Sequence, residues 1–204
     1  MAGGLQGPAP DERPQPEGRR NSQGFRIDPA VEAEPPTRRT TLSALVAHEP
    51  GVLAKVSGLF SRRQFNIESL AVGPTEDEEL ARITMVIEEP EPGIEQAKKQ
   101  LEKLIPVYSV TELDDDAVAR ELAILKVGAA EPDKVQAVAE MYDGTVVDAG
   151  PDTISVELTG EEATVDAAIE AFERFDIHEL VRTGTAALAR GADSTDHEPG
   201  GTAD

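Results

Sequence analysis

The chain contains no cysteine, and aromatic residues make up only 3% of its 204 residues. The lack of cysteine excludes disulfide bonds, thiolate metal ligands and a cysteine nucleophile. Apolar residues still make up 39% of the chain, so a hydrophobic core is possible, but it has to be built from Val, Ala, Leu and Ile. A chain of 204 residues accommodates one or two small domains.

Basic residues are scarce as well, because 19 Lys and Arg stand against 40 Asp and Glu, a formal net charge of −21. Such a surface repels the phosphate backbone of nucleic acids and anionic membranes, so we expect neither as a partner. The acidic excess has two interpretations, simple solubility and adaptation of a halophilic protein to a high-salt cytoplasm, and we favour the second. Concentrated ions would screen the self-repulsion, since the Debye length falls to about 3 Å at 1 M salt.

Long apolar runs are also missing. The N-terminus has no apolar core of the kind found in signal peptides, and no segment is long enough to span a bilayer, so we expect a cytoplasmic protein. Residues 1–39 hold seven of the fifteen prolines and show no hydrophobic periodicity. Such segments bury too little apolar area to offset the entropy of ordering, which predicts a disordered Pro-rich arm over residues 1–39 and a disordered tail over 191–204.

Between these tails, the hydrophobic pattern changes repeatedly between the period of a strand and the period of a helix. It predicts two successive units with the order strand, helix, strand, strand, helix, strand, the first over residues 40–114 and the second over 119–190. This order is typical of ferredoxin-like βαββαβ modules, so the fold class is α+β with two such modules in tandem. In the second module, Thr159 and Glu162 have the spacing of a helix capping box.

The stretch from His48 to Leu53 is the most informative part of the chain. It ends the first strand and opens an amphipathic helix, with Pro50 in the first helical turn, where a missing N–H is tolerated. The first N–H groups of a helix have no acceptor within the helix and attract a carboxylate. Gly51 and Val52 are therefore either an ordinary loop glycine and a core valine, or donors that receive an acid.

A second polar feature follows the helix, because Asn66 stands at the start of the next strand. Asn is often a simple turn former at such a position. Its amide can also both donate and accept hydrogen bonds, which suits a zwitterionic amino acid. Ile67 either belongs to the core or lines the apolar part of a pocket. An acid-binding turn with such a neighbour indicates a sensor of a small amino acid rather than a catalytic centre.

The sequence shows no catalytic or metal-binding set of residues. His48 lacks a recognisable nucleophile or orienting partner, so it either flanks the ligand or is merely exposed. The three histidines have no metal-ligand spacing, and the acidic residues from 112 to 116 lack the central glycine of a calcium loop, which favours a solvated linker. Arg62 and Arg63 interrupt the acidic surface as a charge pair at a helix C-terminus.

Several segments together resemble the small regulatory subunit of acetolactate synthase (acetohydroxyacid synthase). They are residues 51–53, 58–63, 65–70, 81–84, 99–104, 120–122, 181–184 and 189–191, so the resemblance covers residues 40–191. The Gly-Val-Leu turn alone would indicate only an ACT-type amino-acid-binding domain. Its combination with the Asn-Ile-Glu-Ser-Leu segment and a second module is much more specific.

The resemblance implies a non-catalytic chain with an N-terminal ACT domain and a C-terminal ferredoxin-like domain. It implies a homodimer through the ACT domain and a partnership with the catalytic (large) subunit, which carries thiamine diphosphate, Mg²⁺ and FAD, so that this chain itself holds no cofactor. The catalytic subunit condenses two pyruvates, or pyruvate with 2-ketobutyrate. The small subunit stimulates it and confers feedback inhibition by a branched-chain amino acid, typically valine, with leucine and isoleucine as further candidates.

The resemblance also implies where the effector binds, at the seam between two protomers. The implied effector-binding residues are His48, Gly51, Val52, Leu53, Asn66 and Ile67. Arg62 and Arg63 become candidate contacts with the catalytic subunit. The chain departs from the family at Gln64, where a Gly is usual, and at His48, where several relatives carry Asn. If the turn at Gln64 needs a positive φ, the Gln costs about 1 kcal/mol relative to Gly.

Two other hypotheses stay open from the sequence. One is a free-standing ACT-type sensor that regulates a different enzyme or a transcription factor, against which the long second module argues. The other is an enzyme on a ferredoxin-like fold, since a fold alone does not fix a function. The lack of cysteine and of any paired catalytic residues argues against that enzyme.

Overall fold

The computed structural model describes residues 36–191 and two short strands upstream, β1 (Arg19–Arg20) and β2 (Arg26–Ile27). β1 and β2 pair in antiparallel fashion. They belong to one compact unit, and the residues from Thr37 onward form another. The predicted disordered arm and tail lie outside the described residues, except for these two strands and the few residues at the inner ends of both predicted segments.

The second unit begins with a βαββαβ module. Its elements are β3 (Thr37–Ala47), α1 (Val52–Arg63), β4 (Ile67–Pro74), β5 (Leu80–Pro90), α2 (Glu91–Leu101) and β6 (Val107–Leu113). The four strands form one antiparallel sheet in the order β4-β5-β3-β6. This arrangement confirms the ferredoxin-like fold predicted for the first module.

Alternation along the strands decides which face of this sheet becomes core. Leu42, Ala44 and Val46 of β3 share one face and are fully buried. They belong to one apolar cluster with Val56 and Phe60, which lie one helical turn apart on α1. Residues of α2 join the same cluster, so both helices cover this face of the sheet. Removing these side chains from water stabilises the module by roughly 25 cal/mol per Å² of apolar area.

The second module repeats the same order of elements. They are β7 (Val118–Gly128), α3 (Pro132–Met141), β8 (Thr145–Ala149), β9 (Thr153–Gly160), α4 (Glu162–Phe172), a 3-10 turn (Glu173–Phe175), β10 (Ile177–Arg182) and β11 (Ala186–Leu188). The sheet order is β10-β7-β9-β8, and β11 also pairs with β7. The α+β fold of two tandem modules is therefore confirmed.

Three local details of the sequence interpretation change in the structure. Pro50 lies before α1 rather than in its first turn, because Gly51 occupies the N-cap position. The predicted capping box is wrong, because Thr159 lies within β9 and Glu161 takes the N-cap position of α4 without a side-chain hydrogen bond. The last extended segment is divided into β10 and β11 by Gly184, whose φ is +76°.

The second module packs against the face of the first sheet that has no helices. Ser43, Thr84 and Val86 alternate with the core positions and so face away from α1 and α2, yet they are buried. The cover comes from the segment that leads into β11, where the N–H of Thr185 donates to the Oγ of Ser69 at 2.7 Å. The helical layer of the first module is consequently its outer surface.

Candidate functional site

Within residues 36–191, no side chain caps the start of helix α1. Gly51 stands at its N-cap with a φ of +86°, no side chain forms a cap hydrogen bond, and the first turn contains no acidic residue. The other three α-helices of the described part each have an acid in the first turn, namely Glu91, Asp133 and Glu162. No acid of the first turn therefore compensates the partial positive charge of the α1 N-terminus, in a chain with 40 acidic residues.

The first N–H groups of α1 are poorly satisfied. The N–H of Val52 lies 3.4 Å from the carbonyl oxygen of Glu49, a long contact, and Lys55 is the first residue that bonds in helical register, to Gly51. Within residues 36–191, the N–H groups of Leu53 and Ala54 have no protein acceptor. Such groups at a helix N-terminus form a ready site for an anion.

The turn also leaves space beside these donors. A Cβ built on Gly51 would meet no atom within 4 Å, so a positive φ rather than crowding makes glycine favourable here. The side chain of Val52 is only 4% exposed and packs in the core, so only its N–H can serve a ligand. The side chain of Leu53, by contrast, is 42% exposed and can contact an apolar group.

His48 connects the turn to the loop between β4 and β5. Its backbone N–H donates to the carbonyl oxygen of Glu79 at 2.7 Å. Its ring Nδ1 lies 3.2 Å from the carbonyl oxygen of Glu78, a bond that the Nδ1–H tautomer donates. This contact is not visible in the sequence, because it joins residues 30 positions apart.

Asn66 and Ile67 lie far from the turn within one chain. Ile67 pairs with Ile87, and Ile87 pairs with Thr40 near the start of β3, whereas the turn follows the end of that strand at Ala47. At about 3.4 Å per residue, these two levels of the sheet are roughly 20–25 Å apart. The structure therefore divides the six predicted residues into two groups, 48–53 and 66–67.

The second group lies on an edge strand. β4 has β5 on one side, and no strand of the described sheet pairs with its other side. Asn66 is exposed and its Nδ2 donates to Glu68 Oε1 at 2.5 Å, while Ile67 is half-buried against the core. The register shifts between Ile67 and Ser69, which marks a β-bulge, a feature that is common at sheet edges and beside functional sites.

Two family models match consecutive parts of the chain. Residues 42–109 match an acetohydroxyacid synthase (AHAS) small subunit-like ACT domain, and residues 120–191 match the small subunit of acetolactate synthase. A probable acetolactate synthase small subunit from Methanothermobacter thermautotrophicus is 43% identical over 166 residues, which are 79% of this chain and 98% of that protein. The chain belongs to the acetolactate synthase small-subunit family.

Further relatives agree with this assignment. A probable acetolactate synthase small subunit from Archaeoglobus fulgidus is 44% identical over 154 residues, which cover 74% of this chain and 96% of that protein. The crystal structure of the acetolactate synthase small subunit from Thermotoga maritima superposes with a TM-score of 0.72 at 34% identity, over 76% of this chain and 99% of that chain. Membership of the small-subunit family supports a regulatory, non-catalytic role and implies a catalytic subunit as the partner.

A partly buried ion pair in the second module was not anticipated from the sequence. Arg182 donates through Nε and Nη2 to the carboxylate of Glu121 at 2.6 and 2.9 Å, and through Nη1 to Asp166 at 2.7 Å. The hydrogen bond to Glu121, which is buried, raises the pKa of the Arg182 guanidinium above its already high ordinary value. The pair fixes the end of β10, from which the chain turns toward β4. A single sequence does not reveal such a pairing between residues 61 positions apart.

We also searched the described part of the chain for a metal site, a ligand cleft and a membrane-spanning helix. No three His, Asp or Glu side chains there are grouped so that they could hold a metal ion. A cleft of about 590 Å³ lies between β4 and β11, but none of the six predicted effector residues lines it. Of the helices that the structure describes, none has both the length and the apolar character needed to cross a lipid bilayer.

Proposed function

We propose that this chain stimulates the catalytic subunit of acetolactate synthase and makes it sensitive to a branched-chain amino acid, with valine as the first candidate. Thiamine diphosphate, Mg²⁺ and FAD would belong to the catalytic subunit, where the condensation would take place. The observation that carries the proposal is the uncapped, acid-free N-terminus of α1 at Gly51. It offers main-chain donors to a free carboxylate. The first turn of α1 contains no acidic side chain that would repel that carboxylate.

The polar end of an amino acid needs a second set of contacts for its ammonium group. Asn66 can supply an acceptor, because its Nδ2 is already engaged by Glu68 and its Oδ1 stays available. The carboxylate of Glu68 adds negative charge beside that oxygen. The half-buried Ile67 and the exposed part of Leu53 supply apolar surface for an aliphatic side chain. The two groups thus complement the two ends of one branched-chain amino acid.

These groups can meet if two copies of the chain pair through β4. In an antiparallel pair about a two-fold axis, the start of each β4 lies beside the end of the other. The end of β4 is Pro74, which is level with Ala81 and Val46 at the same end of the sheet as the turn. Asn66 of the partner subunit would then approach Gly51. This pairing would also cover an edge strand that is otherwise open to unwanted association.

Feedback inhibition requires that the effector discriminates between two states of the complex. The amino acid has to bind the inhibited arrangement more tightly than the active one, and couplings of about 1–3 kcal/mol are typical. We propose that the effector stabilises one arrangement of the two protomers and that the catalytic subunit senses this arrangement.

A substitution at Ala54 tests the carboxylate site without removing any contact of the protein. Ala54 is exposed in the first turn of α1, so Ala54→Glu should stabilise the helix by about 0.3–1 kcal/mol through the helix dipole. The added charge should repel the effector, and calorimetry at about 0.1 M salt, where the Debye length is about 10 Å, should show at least tenfold weaker binding of valine. The matched neutral variant Ala54→Gln should bind valine almost as the unmodified chain does. Equal affinities for Ala54→Glu and Ala54→Gln would contradict the site.

The role of Asn66 is tested in a complex reconstituted with the catalytic subunit. Asn66→Ala should retain stimulation and weaken feedback, because the residue is proposed to contact only the effector. Titrations with valine, leucine and isoleucine would identify the effector in the same assay. If the effector concentration that inhibits the natural complex also fully inhibits the Asn66→Ala complex, Asn66 is not part of the site.

A further inference from the structure

The outer helical layer of the first module carries three cations that form no ion pair with the carboxylates of residues 36–191. Arg62 and Arg63 end α1, and Lys103 follows the end of α2. We call these three residues the basic patch. All three are exposed, and within residues 36–191 none of them forms an ion pair. Arg63 Nη2 lies 3.3 Å from Gln100 Oε1, a side-chain contact that links the end of α1 to the last turn of the antiparallel α2.

This patch is unusual for such an acidic chain. The twelve residues of α1 include Lys55 and the two arginines but no acid, although the net charge of the chain is −21. In the second module, by contrast, Lys126 and Lys134 each contact a carboxylate. The helix dipole favours cations in the last turn by about 0.3–1 kcal/mol, but it does not explain a whole helix without acids. A partner with negative charge explains both observations.

An apolar residue projects beside Lys103, at the end of the helical layer opposite to Arg62 and Arg63. Ile105 is 99% exposed and lies two residues after Lys103. The loop that carries it is held in place, because the N–H of Ala47 donates to the carbonyl oxygen of Pro106 at 2.8 Å and the N–H of Val107 donates to Leu104 at 2.9 Å. An exposed apolar side chain on an anchored loop can enter an apolar pocket of a protein partner and lose its contact with water there.

We propose that the basic patch and Ile105 form the surface that docks on an acidic region of the catalytic subunit, an inference that rests on the proposed function. Charge complementarity favours an anionic partner, and the exposed isoleucine suits a partner with an apolar pocket. An extended polyanion such as RNA fits less well, because the acidic remainder of the chain repels it. An acidic region on a protein is small enough to meet the patch alone.

The position of this surface also connects it to the effector turn. The loop around Ile105 is bonded to Ala47, and His48 of the turn is the next residue. A change in the turn upon effector binding can therefore reach Ile105 through one hydrogen bond. The surface is on the opposite side of the first sheet from the second module, which leaves it accessible when both modules are in place.

Charge reversal in the full chain tests the docking surface. The variant Arg62→Glu/Arg63→Glu is compared with Lys126→Glu/Lys134→Glu, which changes the net charge by the same amount in the second module. Binding to the purified catalytic subunit is measured at one fixed salt concentration. We expect at least tenfold weaker binding for the first variant and less than a twofold change for the second. Calorimetry with valine on each isolated variant should give unchanged effector binding, which shows that the chain remains folded.

A second pair of variants tests the apolar contact independently of charge reversal in α1. Ile105→Asp should weaken the complex at least tenfold, whereas Val147→Asp, at another exposed apolar position, should not. If Arg62→Glu/Arg63→Glu and Ile105→Asp both bind the catalytic subunit as tightly as the natural chain does, and the natural chain stimulates it, the docking surface is wrong but the proposed function stands. The docking surface is also wrong if these variants change only the self-association of the chain, measured by light scattering. A natural chain that neither binds nor stimulates the catalytic subunit would instead overturn the proposed function.

Discussion

The backbone N–H of Thr185 donates a hydrogen bond of 2.7 Å to the Oγ of Ser69 and so joins the second module to β4. Beside this contact, a Cβ on Gly184 would lie 2.7 Å from the carbonyl oxygen of Leu70, so only glycine permits the approach. Ser69 is three residues from Asn66, on the strand that carries Ile67 of the candidate effector site. We therefore expect a ligand that shifts the start of β4 to affect the packing of the second module.

Removal of the Ser69 hydroxyl should weaken the contact between the modules. In Ser69→Ala, the N–H of the buried Thr185 loses its acceptor, which costs about 1–3 kcal/mol of unfolding free energy. Denaturant unfolding measures this loss. The matched control is Ser61→Ala on the exposed surface of α1, for which we expect a change within about 0.5 kcal/mol. Similar values for the two variants would show that the hydrogen bond contributes little.

Gln64 is strained by the turn that ends α1. Its φ is +60°, a left-handed conformation that disfavours any residue with a Cβ relative to glycine. Gln64→Gly should raise the free energy of unfolding by about 1 kcal/mol, because glycine adopts this conformation without a Cβ clash. The neighbouring Arg63→Gly, inside the helix, should lower it by about 1 kcal/mol. A destabilised Gln64→Gly variant would mean that the Gln side chain makes a compensating contact.

Glu112 makes the stability of the first module depend on pH in the acid range. Burial works to raise the pKa of Glu112, but hydrogen bonds from Arg38, Lys98 and Thr40 outweigh it and hold the pKa below the ordinary value of 4.5. A carboxylate with a lowered pKa in the folded state stabilises the protein above the pKa of the unfolded chain. This stabilisation is lost as the pH falls from about 4.5 through the lower folded-state pKa.

The variant Glu112→Gln measures this contribution directly. At neutral pH it should unfold about 1–3 kcal/mol more easily than the natural chain, because charged hydrogen bonds are removed. The difference between the two proteins should shrink as the pH falls below 4.5, since the natural carboxyl then becomes neutral as well. Denaturant unfolding at several pH values tests the sign. A difference that grows toward acid pH would refute the assigned pKa direction.

The net charge of −21 leads to a prediction about salt. We expect the melting temperature to rise between dilute buffer and molar KCl, because the Debye length falls to about 3 Å at 1 M and self-repulsion is screened. Sucrose at matched water activity serves as a control for general solute effects. A melting temperature that stays constant or falls in KCl would favour solubility alone as the reason for the acidic surface.

The elements of the fold were predictable because each depends on local pattern. Leu42, Ala44 and Val46 alternate with polar neighbours, and Val56 and Phe60 follow at helical spacing, so strand and helix are visible in the sequence. The capping box failed because the same two residue types also occur where a strand continues. Thr159 stays in β9, and local spacing cannot show that a strand pairing competes with a cap.

The candidate site was only partly predictable. From the sequence, Gly51 and Asn66 were assigned to the two ends of one helix. The sequence could not show that they lie at opposite ends of the sheet within one chain. The hydrogen bond of His48 to the Glu78 carbonyl and the ion pair of Arg182 with Glu121 were not predicted either. Each joins residues that are distant along the chain, and a single sequence contains no record of such distances.

The amino-acid sequence is enough to establish the two βαββαβ modules, the cysteine-free chemistry, the acidic composition and the family to which the chain is similar. These follow from composition, from short-range periodicity and from motifs that are contiguous in the chain. The three-dimensional fold was needed to show that no side chain of the described residues caps the α1 N-terminus, that Asn66 lies at the other end of the sheet, and that Gly184 and Thr185 touch β4. Those facts depend on strand register and on the docking of modules, which arise from packing among residues far apart in the sequence.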